Sequence, residues 1–300
     1  MRCSLTIGEA SLVLQRPIIV IGCNRSGTTL LFNNLSAHPD SWSLYIESQD
    51  IFYRHYPIDP RQGDRLEQAP PPEVAHDIRH YFYCEAHNKE RFKDTPVLRY
   101  IPRKLLQRPL NPLYKRAPLR LVEKTPANSL RIPFLVELFP DARFLFLVRR
   151  GEDVVSSLME GWKNWSRTGA GPWRFGRWHY LVPPDWQAWR GRSLQEICAF
   201  QWTRSTMTAW EDLNRHRAGN FLLLRHEEVM ADPQGWYRRI TDFCELRDSP
   251  YFWSQITRIR RRVFTTGGSA PRREKWRELH GAEIESVADL IGPVNATFYG

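Results

Sequence analysis

No part of the 300-residue chain approaches the roughly eighteen consecutive apolar residues of a membrane span. The basic segment and apolar stretch of a secretory signal are missing too. These absences predict a cytoplasmic protein without a membrane span, unless an anchor lies outside this sequence. Cysteine is sparse. Cys3, Cys23, Cys84, Cys198 and Cys244 are odd in number and scattered, with no CxxC pair. That argues against a disulfide framework and for a reducing compartment. Without a secretory signal, Asn164-Trp-Ser166 and Asn295-Ala-Thr297 read as chance matches to the glycosylation pattern. No repeat and no dividing linker is visible, so one domain over residues 1–300 is expected.

Positive charge is abundant. Lysine and arginine number 43 against 33 acids, a formal charge of +10, which favours anionic ligands such as nucleotides, sulfated polymers or acidic peptides. Charge alone does not indicate nucleic acid, and none is expected as a partner. Half of the 12 tryptophans fall between Trp162 and Trp189. They read as core and cleft wall rather than as a dedicated sugar platform.

The most informative stretch runs from Ile18 to Leu31. An apolar strand enters a glycine turn and then a helix with hydroxyls at its start. Backbone N–H groups at a helix N-terminus have no intrahelical partner and converge on an anion. Gly22 and Gly27 keep the spacing of GxxxxGK[ST], but the lysine position holds Thr28 and a cation comes earlier, as Arg25. The loop suits a phosphorylated nucleotide yet lacks the γ-phosphate lysine.

Further strands are expected at Trp42–Ile46, Leu119–Val122, Arg143–Val148 and Phe221–Leu224. Helices are expected at Ile132–Phe139, from Gly151, over Leu194–Leu213 and around Trp236–Cys244. Alternating strands and helices predict a three-layer α/β fold with a central parallel sheet. The irregular segment of about residues 51–118, with a possible helix at His76–Asn88, reads as a variable covering insertion. In parallel sheets ligands sit outside the C-terminal strand edge. Glu47, Lys124, Arg149 and Arg225 all follow expected strands and can meet there.

No apolar strand ends in the aspartate that positions magnesium for a kinase or ATPase. Sulfuryl transfer relaxes that need, because cations and N–H groups can stabilise the leaving phosphate directly. His76, His80, Cys84 and His87 share a helical face, but one helix rarely supplies every ligand and the HExxH glutamate is missing. No metal site is expected.

The motifs resemble the sulfotransferases that use 3′-phosphoadenosine-5′-phosphosulfate (PAPS). Arg-Ser-Gly-Thr-Thr-Leu-Leu at 25–31 resembles their 5′-phosphosulfate loop. Glu-Lys-Thr-Pro-Ala-Asn at 123–128, Phe-Pro-Asp-Ala-Arg-Phe at 139–144, Val-Arg-Arg-Gly-Glu-Asp-Val-Val-Ser-Ser at 148–157 and Leu-Arg-His-Glu-Glu-Val-Met-Ala-Asp-Pro at 224–233 follow in order. The arginine at 25 leans toward the carbohydrate- and tyrosylprotein-type branch.

The resemblance implies PAPS as co-substrate and a hydroxyl-bearing acceptor: a glycan, tyrosine peptide, lipid or small molecule. Arg25 with Ser26, Gly27, Thr28 and Thr29 would hold the 5′-phosphosulfate. Arg149 and a serine eight residues on would hold the 3′-phosphate. Helical geometry leaves Ser156 and Ser157 open, and the family spacing selects Ser157. Glu47 would be the general base, and Lys124, assisted by Arg25, would neutralise the leaving oxygen. His226 replaces a more usual tyrosine. The arginines from Arg258 to Arg273, with Lys275, would complete a lid over the nucleotide. The rival readings are a P-loop nucleotide kinase and a non-catalytic anion- or glycan-binding protein.

Overall fold

The computed structural model describes residues 15–44, 47–87, 120–168, 178–257 and 274–300. Five parallel strands lie in the order β2-β3-β1-β4-β5. They are β1 (Ile18–Ile21), β2 (Ser41–Trp42), β3 (Arg120–Glu123), β4 (Arg143–Val148) and β5 (Phe221–Arg225). Strand β1 is central, with Ile18 opposite Val122 on one side and Arg143 on the other. Because all neighbours are parallel, every strand delivers its next residues to one edge, and helices make the returns. The connections reverse direction about β1, which makes that edge a topological switch point.

Helices flank the sheet in two layers. They are α1 (Thr28–Ser36), α2 (Gln49–His55), α3 (Pro72–His87), α4 (Ile132–Leu138), α5 (Gly151–Thr168) and α6 (Leu194–Arg217). Beyond β5 come α7 (His226–Ala231), α8 (Pro233–Phe243), α9 (Pro250–Ile256), α10 (Lys275–Glu285) and α11 (Ala288–Tyr299).

Period-two alternation splits the strands between two cores. Ile18, Val20, Leu145, Leu147 and Leu224 face α1, α8 and α9. Ile19, Ile21, Phe144, Phe146 and Val148 face the larger core built on α4, α5, α6 and α11. Being buried on both faces makes β1 and β4 continuous apolar runs.

Local rules explain several boundaries. Ser193 and Glu196 form a reciprocal capping box at the start of α6. The Asp232 side chain caps α8 ahead of Pro233, three residues before the expected start. Strand β2 is shorter than expected, and Tyr45 and Ile46 fall outside the described residues. Helix α3 begins at Pro72 rather than at His76. Among the described residues no helix is long and apolar enough to cross a membrane.

Phe146 ties the sheet to the C-terminal helix, its ring meeting Phe298 edge-on at 5.9 Å between centroids. Phe146→Ala is expected to cost about 3–5 kcal/mol, read as a lower urea midpoint at unchanged slope.

Candidate active site

The turn after β1 is backbone-strained. Arg25 has φ 70°, left-handed space that a non-glycine residue occupies at a cost of roughly 1–3 kcal/mol. The conformation sends its guanidinium across the sheet edge, where Nε donates to Ser157 Oγ at 3.0 Å. Its carbonyl accepts from Arg149 Nη1 at 3.4 Å. Gly27, at φ 95°, opens α1, and a Cβ there would stand 2.6 Å from His226 Cδ2. Glycine is therefore required twice, for conformation and for contact. The Ser26 N–H is already donated to the Cys23 carbonyl at 3.2 Å. An anion at this loop thus meets the amides that follow Ser26.

Arg149 follows β4 directly, its Nη2 3.5 Å from Asp153. Among the described residues its Nε is buried without a hydrogen-bond partner, a donor still to be satisfied. Burial pushes the Asp153 carboxyl up; Arg149 opposes this, while Glu227 and Glu152 add to it. The two candidate serines face opposite ways. Ser157 meets Arg25, whereas Ser156 lies 2.8 Å from His280 Nδ1 on the core side.

The C-terminal helix supports this corner. Asn295 Oδ1 accepts the Gly151 N–H at 3.0 Å, and its amide donates to Glu152 at 3.0 Å. Asn295 thereby caps α5 from 144 residues away. Arg150 stacks on Tyr299 at 4.5 Å, and Tyr299 donates to Glu227 at 2.7 Å. Gly151 has an ordinary φ; it is needed because a Cβ would lie 2.6 Å from the Trp202 ring. Close packing explains this glycine better than turn freedom does.

A second group forms beyond β2 and β3. Lys124 Nζ donates to Glu47 Oε1 at 2.7 Å, and Gln49 donates to Glu47 Oε2 at 3.0 Å. Lys124 is nearly buried while Glu47 is 40 % exposed. The pair is set by Glu123, a residue the sequence reading passed over. Its carboxylate accepts from Thr125 at 2.7 Å and from Ser48 and Asn128. The Ser48 N–H donates to Thr125 at 3.0 Å. Burial pushes Glu123 up, opposed by these hydrogen bonds and by Lys124 and Arg131. An acid closing the short strand Arg120–Glu123 was the available signal.

Glu47 opens onto a cavity of about 640 Å³, lined also by Asn24, Pro126, Ala127, Trp165, Tyr180 and Leu181. Asn24 precedes Arg25 and accepts from the Leu181 N–H at 3.4 Å, so the phosphate loop and the cavity share an edge. Trp162, Trp178 and Trp186 are buried; Trp165 is the cleft wall. Arg225 turns away and pairs with Glu228 and the Phe298 carbonyl. Arg258 to Arg273 lie outside the described residues, as do the Cys84 and His87 side chains. His76 and His80 stack at 5.7 Å. No group of three or more metal-ligating side chains occurs among the described residues.

Residues 17–250 match the model of the Sulfotransferase family. The chain belongs to that family. In structure it is similar to sulfotransferase STF9 of Mycobacterium avium, with 18% identity, 98% of this chain and 79% of that one covered, and a TM-score of 0.55. It is also similar to STF1 of Mycobacterium tuberculosis H37Rv, with 18% identity, coverages of 96% and 79%, and a TM-score of 0.50. Likenesses at that identity establish the shared fold. No curated protein matches significantly in sequence.

His226 makes the phosphate loop acid-sensitive. Burial and the Arg149 charge push it down from 6.5 to about 4, against the pull of Glu227. The unfolded chain protonates this histidine first, so stability falls as pH drops below about 6.5, and the loss is complete below about 4. His179 and His280 are also held low and act with the same sign. His226→Gln is expected to flatten the melting temperature against pH over this window.

Proposed function

We propose that the chain moves a sulfuryl group from PAPS to an acceptor hydroxyl by direct in-line transfer. One observation carries the reading: Arg25 of the phosphate loop meets Ser157 and Arg149 of the β4–α5 corner, 132 and 124 residues away. A cationic cradle and an Arg–Ser pair side by side suit a nucleotide with phosphates at both ends. The fit is supported by the unsatisfied Arg149 Nε and by the close floor that Gly27 permits over His226.

Arg25 and the amides from Gly27 to Thr29 hold the 5′-phosphosulfate; Arg149 and Ser157 hold the 3′-phosphate. Glu47 takes the acceptor proton as the new O–S bond forms. The old S–O bond breaks with its electron pair left on the bridging phosphate oxygen. Lys124 starts on Glu47. As Glu47 gains the proton its hold weakens, and the ammonium is released toward the leaving oxygen. Base and electrophile are thereby coupled. Glu123 acts as a positioning residue, because it fixes Ser48 beside the base and the end of β3 beside the cation.

The acceptor would enter between the variable insertion and the tryptophan-rich segment. Residues about 51–118 contribute Tyr53 and Ile58 to the cavity, and about 162–190 contribute Trp165, Tyr180 and Leu181. A cytoplasmic setting is supported by Cys23, Cys198 and Cys244, which are free, buried thiols.

Two variants separate binding from chemistry. Glu47→Ala is expected to cut turnover of labelled donor by about 10²–10⁴-fold while keeping the affinity for the desulfated product PAP. Arg149→Ala is expected to lose PAP affinity in calorimetry. Equal loss of both quantities in the Glu47 variant removes that residue as the base.

A further inference from the structure

The two oxygens of Glu47 keep different company. Oε1 accepts from the Lys124 ammonium at 2.7 Å, and Oε2 accepts from the Gln49 amide at 3.0 Å. Behind Gln49 the contacts continue inward. Gln49 and Tyr53 lie one turn apart on α2, the spacing that places side chains on one helix face. The Tyr53 hydroxyl reaches Gln49 Oε1 at 3.1 Å and Asp64 Oδ1 at 2.8 Å. Asp64 is buried; it pairs with Arg131 at 3.1 Å and accepts the Val182 N–H at 2.8 Å. A line of hydrogen bonds thus runs from the exposed carboxylate to a buried ion pair.

That line contains a conflict. A phenol has one proton, and Tyr53 faces two acceptors. While Glu47 is charged, Gln49 must turn its N–H toward it, which leaves the amide carbonyl facing Tyr53. Asp64 is the charged and therefore the stronger acceptor. A Tyr53 donation to it sets two oxygens against each other at 3.1 Å. A proton on Glu47 removes the conflict. It settles on Oε2, because Oε1 faces the Lys124 ammonium. The Gln49 carboxamide turns over about its last torsion, a soft twofold rotation. Its carbonyl then accepts from Glu47, its N–H donates to Tyr53, and Tyr53 donates to Asp64 without opposition. No covalent bond changes along the line.

We propose that Gln49 and Tyr53 are positioning residues that hold Glu47 in both of its states. Gln49 donates to the charged base, accepts from the protonated one, and passes the reversal through Tyr53 to Asp64. This rests on the reading of Glu47 as the base. Lys124 can only donate, so it suits the carboxylate alone. Gln49 is two-sided, and Oε2 keeps a partner before and after the proton arrives. Asp64 anchors the far end, since its own N–H donates to the Val182 carbonyl at 2.7 Å. The reversal therefore ends on the backbone that carries Leu181 into the cavity lining.

Glu47→Gln stands in for the protonated state, with its carbonyl facing Lys124 and its N–H groups facing Gln49. Urea unfolding of Glu47→Gln, Tyr53→Phe and the double variant closes a thermodynamic cycle. Tyr53→Phe is expected to lower the folding equilibrium constant about tenfold more in the Glu47→Gln background than in the unaltered protein. That is the margin of a charged over a neutral hydrogen bond. Repeating the cycle with Gln49→Met is expected to make the two costs equal. The Gln49 side-chain amide signals in NMR, assigned by their loss in Gln49→Met, give a second readout. Tyr53→Phe is expected to move them strongly in the Glu47→Gln background and little in the unaltered protein. Equal costs of Tyr53→Phe in both backgrounds, a difference that survives Gln49→Met, or an amide response independent of position 47 overturns the proposal. Neither measurement needs donor or acceptor. Failure of the parent reading therefore shows separately, as labelled-donor turnover retained in Glu47→Ala alongside an intact coupling.

Discussion

The hydrogen bond from Arg25 to Ser157 organises this molecule. It joins the loop after β1 to the helix after β4, and it exists because β1 and β4 are adjacent in a parallel sheet. Adjacent parallel strands end side by side, so the residues that follow them meet whatever their distance in sequence. The strained backbone of Arg25 is the cost of aiming its guanidinium sideways. Asn295, Tyr299 and Glu227 hold the other half of the junction from behind. The C-terminal helix is therefore part of the corner where Arg25 and Arg149 meet, although it lies furthest away in the sequence.

The site is divided by charge. On the β1–β4 side stand Arg25, Arg149 and the start of α1, arranged for an anion. On the β2–β3 side stand Glu47 and Lys124, backed by the buried Glu123 network. Asn24, next to Arg25, lines the same cavity as Glu47 and accepts from the Leu181 N–H. In the proposed function the sulfur lies between these two sides, with a carboxylate and a cation acting on opposite ends of one transfer.

Much of this was legible in the residues. Strands β1 and β4 are buried on both faces and so announce themselves as apolar runs, and the loop between Gly22 and Gly27 follows at once. Strand β2 is shorter than its sequence suggests because an apolar run cannot show where its partner ends; among the described residues β3 pairs with it over Ser41 and Trp42. Long-range support escaped notice for the same reason. Glu123 looks like any strand-end acid until Ser48 and Asn128 fold onto it. Asn295 looks like part of a sequon until α11 returns to cap α5. Arg225 follows a strand like the others, yet the Phe298 carbonyl draws it away from the cleft. Helical geometry alone could not choose between Ser156 and Ser157, and only the family spacing did; in the structure His280 packs against the former and Arg25 against the latter.

The central claim is that one ligand is gripped at two phosphates. Calorimetry of PAP against adenosine 5′-monophosphate isolates the second grip, since the two ligands differ by the 3′-phosphate alone. Charged hydrogen bonds of about 1.5–3 kcal/mol predict PAP binding roughly ten- to a hundredfold more tightly. Equal affinities for the two nucleotides would contradict the account.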